Sequence, residues 1–196
     1  RGFIVLRVGW QADAPREPVR FGGTQRPRFV LDAPIARGAD GAPLTGPVRV
    51  EIVPAAAAAT LPLDGAFTRG HRPYPPLALD APGDTLSVRA RAGDPRVAVA
   101  RADWAFADCS DRPFPGVPRA DRLCLRGGFR DDRLYELVYV ARDPLVLGIG
   151  LAAVRDATLF FRDSPATGGP ADNPVAGQVR RSIAIGVSQA GNFLRT

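Results

Sequence analysis

Gly186-Val187-Ser188-Gln189-Ala190-Gly191 is the stretch of this sequence whose residue types and spacing could do chemistry. It lies one residue away from G-x-S-x-G, the pattern in which a serine sits on a sharp strand-to-helix turn; Ala190 occupies the second glycine position and Gly191 follows. Small residues two positions either side of the serine are required because a larger side chain would collide with neighbouring backbone. Alanine is the mildest departure, adding one methyl. Such a turn lifts the hydroxyl clear of its sheet as a nucleophile, and the backbone N–H of Gln189 would face the developing oxyanion. The plainer alternative is a glycine-rich turn with an incidental serine. Residues 183–185 are β-like before the turn and Phe193-Leu194 are helix-compatible after it, which favours the chemical reading.

Other polar residues carry less. The single histidine, His71, stands in Thr68-Arg69-Gly70-His71-Arg72-Pro73-Tyr74, a turn-like setting that suits a surface loop better than a catalytic base. Arg155 and Asp156 are adjacent on a helical segment and face differently, so they read as solvated or structural groups. Asp131-Asp132 reads as a turn, since paired carboxylates without further ligands do not make a metal site. Trp10 and Gln11 follow an apolar run at an expected sheet end, where they would either line a substrate pocket or simply pack.

The elements that must position these residues fall into three textures. Residues 1–13 open with Phe3-Ile4-Val5-Leu6, a short run that reads as a buried strand. Residues 14–140 show no helical period. Strand-like runs at 28–31, 48–53, 85–90, 97–100, 122–125 and 134–140 are separated by turn clusters at 38–41, 75–76, 82–84 and 127–128, which predicts an antiparallel β-rich module. The alanine tract 55–59 between Pro54 and Pro62 reads as a connector rather than a helical turn. Residues 141–196 change period: Asp143-Pro144 predicts an N-cap and first helical position for a helix reaching Arg162. Its small residues Gly148, Gly150, Ala152 and Ala153 would let it lie close on a sheet. Residues 182–196 then predict a strand, a tight turn and the start of a helix.

Tyr135-Glu136-Leu137-Val138-Tyr139, Ala152-Ala153-Val154-Arg155-Asp156, Asn173-Pro174 and the run from Gly186 to Arg195 together resemble the alpha/beta-hydrolase domain-containing group of serine hydrolases. Trp10-Gln11, Gly46-Pro47-Val48-Arg49 and Trp104-Ala105-Phe106-Ala107-Asp108-Cys109 fit the same pattern, so the resemblance covers nearly the whole chain. It implies an α/β class: a partial α/β-hydrolase fold, with 1–8 and 182–187 as parallel strands of one sheet and 14–140 as a large β-rich insertion. It implies Ser188 as the nucleophile. Families of this kind order their triad Ser, then Asp or Glu, then His. Eight residues follow Ser188, so the chain reads as a truncated, interior piece of a longer enzyme, inactive alone.

Composition bounds the function classes. The 196 residues carry 26 basic and 20 acidic groups, net +6, and every basic residue is arginine. These arginines are interleaved with aspartates and form no stripe, which argues against a nucleic-acid surface. No apolar run approaches the length of a spanning helix. The expected activity is carboxylic ester hydrolysis of a small-molecule substrate through an acyl-enzyme, without cofactor or metal. A non-catalytic binding or structural module, or an amide or peptide hydrolase with the same nucleophile, are the alternatives. Cys109 and Cys124 flank a Pro- and Asp-rich loop. They either form a disulfide, which would indicate an extracytoplasmic location, or remain free thiols.

Overall fold

The computed structural model describes residues 2–12, 14, 18–26, 28–63, 74–166, 168–169 and 172–196. It divides into two units, one of Ala12–Val146 and one of Arg1–Gln11 with Leu147–Thr196.

The larger unit is built from antiparallel ladders. A hairpin joins β1 (Val19–Phe21) to β2 (Thr24–Arg26), its two-residue turn made by Gly22 and Gly23 at φ +57° and +79°. Positive φ at both positions is what a tight hairpin turn demands, and glycine adopts it without steric cost. β3 (Thr45–Ile52), β5 (Thr85–Arg89), β6 (Val97–Val99) and β11 (Leu134–Arg142) form a sheet in the order β3-β11-β5-β6. β4 (Ala58–Pro62), β7 (Trp104–Ala105) and β10 (Arg122–Phe129) form a second sheet in the order β4-β10-β7. β8 (Ala107–Asp108) pairs with β9 (Val117–Pro118).

The strand period of two sorts these sequences. Along β11, Tyr135, Leu137, Tyr139 and Ala141 point into the core, where they meet Ile52 and Leu86 from the same sheet. Trp104, Leu123 and Phe129 of the second sheet join the same cluster, so two sheets share one apolar interior. Phe106 ties the layers together through edge-to-face contacts with Trp104 and Tyr139, at centroid separations of 5.7 and 5.5 Å. The Tyr139 hydroxyl donates to the Tyr74 carbonyl at 2.7 Å; burial foremost, then the nearby Asp84 charge, pushes its pKa up to about 12.

Beside this core, Cys109 and Cys124 form a disulfide, with Cα atoms 5.8 Å apart. Both sulfurs are buried in a small cluster with Ala107. Gly116 closes tightly over them: a Cβ there would lie 2.6 Å from Cys109 Sγ, at a φ of +74°.

The opposite face of the four-stranded sheet carries charge. Glu136 accepts from Arg96 at 2.8 Å and from Arg49 at 2.9 Å, while Arg89, itself buried, donates to Glu51 at 2.9 Å. The Arg96 hydrogen bond is the main cause holding the Glu136 carboxyl below its ordinary pKa. Ion pairs link these guanidinium and carboxylate groups across the face, while the buried Arg89 Nε has no hydrogen-bond partner among the described residues.

Several sequence expectations are corrected here. The α/β assignment fails: the protein is β-rich, with 14% helix and 29% strand in antiparallel sheets, and this is not an α/β-hydrolase arrangement. Residues 2–8 and 182–187 belong to no ladder among the described residues, so no parallel pair forms between them. Their β-branched side chains stand exposed instead, Ile183, Ile185 and Val187 each above 80%. β-propensity marks a segment that fits a sheet; it does not supply the neighbouring strand.

The helix begins later than the Asp143-Pro144 signal predicts. Asp143 sits at φ 57°, and the chain after it pairs back on 34–36: Ala36 N–H donates to the Pro144 carbonyl at 2.7 Å and Val146 N–H to the Pro34 carbonyl at 3.0 Å. The first helix, α1, spans Ile149–Asp163. The alanine tract is no mere connector, since Ala58 and Ala59 enter β4, an edge strand that tolerates Pro62 at its end. Residues 28–31 form no strand. Gly127 and Gly128 do not separate strands: both at φ +83°, they form an irregularity inside β10, where the register against β4 shifts between Cys124 and Phe129.

In the smaller unit, α1 is closed at its C-terminal end by a side chain. The buried Asn173 amide donates to the carbonyls of Phe160, Phe161 and Ser164 at 3.1, 3.1 and 3.0 Å. Its oxygen accepts from the Val175 N–H at 3.0 Å. The Phe161 and Ser164 carbonyls gain a donor in this way, while the Phe160 carbonyl also accepts the Ser164 N–H at 3.1 Å. Gly150 is the buried residue of α1, consistent with close packing at its small-residue stripe.

Candidate functional site

Ser188 stands immediately before a short helix, α2 (Gln189–Leu194), with φ 56° and ψ −122°. Among the described residues, Asp143 is the other non-glycine with positive φ. Aspartate tolerates that region comparatively well, whereas a serine at this φ,ψ combination costs about 1–3 kcal/mol. Strain of this size persists where the surroundings over-determine it.

The surroundings do so through backbone contact. A Cβ built on Gly186 would lie 2.4 Å from the Ala190 carbonyl oxygen and 2.7 Å from the Gly191 nitrogen. A Cβ on Gly191 would lie 3.1 Å from the Gly186 carbonyl oxygen. The chain thus folds back on itself around Ser188 so closely that position 186 admits no side chain. Ala190 lies in the first turn of α2 and is half-buried. The Ser188 carbonyl accepts the Asn192 N–H at 3.1 Å, closing the first turn of α2.

The Ser188 side chain is exposed, and its hydroxyl has no hydrogen-bond partner among the described residues. Gln189 is also exposed and begins α2, where backbone N–H groups lack intrahelical acceptors. Trp10 reaches this segment from the other end of the chain. Its indole stacks on Phe193, with ring centroids 4.4 Å apart and planes 23° from parallel. One face of the Trp10 ring is therefore covered by α2; Gln11, next to it in sequence, is half-buried. The sequence reading missed Phe193 as a partner of Trp10, and two aromatics so far apart in the chain offer no local periodicity to link them.

His71 lies outside the described residues. Asp132 is engaged by Arg130 at 2.9 Å and Arg133 at 3.1 Å in an exposed turn of the larger unit. Arg155 and Asp156, expected to face apart, instead form an exposed ion pair at 2.7 Å. Long flexible side chains can converge even from adjacent helical positions. Among the described residues, no group of three or more His, Cys, Asp or Glu is placed to hold a metal ion. No helix of the described residues is long and apolar enough to cross a membrane.

No protein-family model matches the chain, and no curated protein or solved structure matches it. The functional reading therefore rests on the residues and their geometry.

Proposed function

We propose that the protein is a serine hydrolase that cleaves carboxylic esters through an acyl-enzyme on Ser188. One observation carries this reading: Ser188 holds a strained φ,ψ of 56° and −122° at the head of α2, over a Gly186 that no larger residue could replace. A serine in a casual glycine-rich turn has no reason to take a conformation that a neighbouring glycine would adopt freely. The elbow geometry does have one, because it presents the hydroxyl at the apex of the turn.

In the proposed reaction, Ser188 Oγ attacks the ester carbonyl carbon while a histidine base takes its proton. The carbonyl oxygen becomes an oxyanion that the Gln189 N–H stabilises. Collapse breaks the bond to the alcohol, which leaves with the proton returned by the base. Water then repeats the sequence on the acyl-enzyme and releases the acid. The reading requires a histidine within about 2.6–3.2 Å of Ser188 Oγ, oriented by an Asp or Glu. Gln11 is the substrate-side residue in this scheme, while the Trp10 indole is stacked on Phe193.

The Cys109–Cys124 disulfide supports a further part of the proposal, that the protein folds in an oxidising, extracytoplasmic compartment.

The test uses the protein expressed from its complete reading frame, offered p-nitrophenyl acyl esters and the matching anilides. Ser188→Ala is expected to lower ester turnover by about 10⁴-fold or more. The thermal midpoint should hold, because replacing an exposed hydroxyl alters stability by no more than about 0.5 kcal/mol. Wild-type turnover in that variant defeats the reading. Anilide cleavage at a rate matching ester cleavage would move the assignment to amide hydrolysis.

A further inference from the structure

We infer that Trp10 is a positioning residue for Ser188, holding α2 in register so that the strained serine and the Gln189 N–H keep the geometry acyl transfer needs. The inference rests on the proposed role of Ser188 as nucleophile. α2 has six residues, none of them buried, and a helix this short does not sustain itself in water. Its head is fixed by the close approach of Gly186 to Ala190. Its far end is fixed by Phe193, whose ring lies 4.4 Å from the Trp10 indole in a near-parallel stack. Phe193 follows Ser188 by five positions, so a shift of the stack is transmitted along little more than one helical turn to the serine. Offset aromatic stacks favour a particular separation and tilt, which gives this contact a positional content that a generic apolar contact lacks.

A residue acting in this way changes how fast Ser188 reacts without changing how well a small probe binds. The test is fluorophosphonate labelling of the protein from its complete reading frame. In that reaction Ser188 Oγ forms a bond to phosphorus, fluoride departs with the P–F electron pair, and the hydroxyl proton passes to the base. Trp10→Ala is expected to slow labelling at saturating probe about tenfold, equivalent to about 1.4 kcal/mol in the barrier. Half-saturation by the probe should be unchanged, and amide exchange over Gln189–Leu194 should rise. Trp10→Phe should restore most of the rate by restoring the stack, and Phe193→Ala should match Trp10→Ala. An unchanged labelling rate in Trp10→Ala overturns the inference, as does a change confined to half-saturation, which would make Trp10 a binding residue. A wild-type protein that does not label at all defeats the nucleophile reading, and this inference with it.

Discussion

The carbonyl oxygen of Ala190 sits where the first carbon of any side chain on Gly186 would have to go, 2.4 Å from that position. The turn around Ser188 therefore has a steric requirement two residues before the serine, and Gly186→Ala should break it. The atoms in conflict are backbone, so relief requires the turn itself to open. We expect ester turnover to fall by about 10²-fold or more, the scale seen when a catalytic constellation is displaced by about 1 Å. Amide exchange over Gln189–Leu194 should accelerate. Full activity in Gly186→Ala would show that the close approach is dispensable.

Glu136 makes the stability of the larger unit depend on acid. Its folded pKa is lowered, chiefly by Arg96, below the ordinary 4.5. The stabilisation is thus complete above 4.5 and is lost as pH falls through the lowered folded value. Glu136→Gln should cost about 2 kcal/mol at neutral pH, the scale of hydrogen bonds to a charged group. It should also remove part of the acid dependence below pH 4.5. Chemical denaturation of the full chain between pH 7 and pH 3 checks both; parallel pH profiles for wild type and variant would contradict the assignment.

The Cys109–Cys124 bridge spans 15 residues of sequence. Replacing both cysteines by alanine should lower the unfolding free energy by about 3 kcal/mol through the loop entropy returned to the unfolded chain. Denaturant midpoints with and without reductant measure this. Wild type under reductant should approach the double variant, which should itself be insensitive to reductant.

The β-rich part of the fold was legible where alternation was strong. Leu86 and Val88 against Ser87 and Arg89 announce β5, and Tyr135, Leu137 and Tyr139 announce β11, because one face meets a core and the other meets charge. β4 was hidden because it opens with Ala58 and Ala59, whose small side chains carry no periodic signal. The hairpin of β1 and β2 was signalled by Gly22-Gly23 but lacks the flanking apolar alternation that makes such a pair readable. Asp143-Pro144 has the composition of a helix start, and long-range pairing with residues 34–36 takes it for another use. The α/β expectation failed for a related reason: residues 2–8 and 182–187 are rich in strand formers, but pairing is a property of two segments and composition describes one. The sharp turn at Ser188 and the helix start after it were legible from residues 186–194, because the steric demand of the turn is local. Its partner contact, Trp10 on Phe193, joins opposite ends of the chain and leaves no trace in the sequence.

The direct test of Ser188 as the reactive hydroxyl is where a fluorophosphonate attaches to the native protein. Trypsin cleaves after Arg181 and Arg195, releasing a peptide of residues 182–195 that contains both Ser182 and Ser188. Ser182 is exposed but lies outside the strained turn, so it serves as an internal control within one peptide. Fragment-ion mapping of the labelled full-length protein should place the adduct on Ser188, with none on Ser182, none in Ser188→Ala and none after denaturation before labelling. An adduct at Ser182 or elsewhere, or a native protein that takes up no probe, would contradict the account.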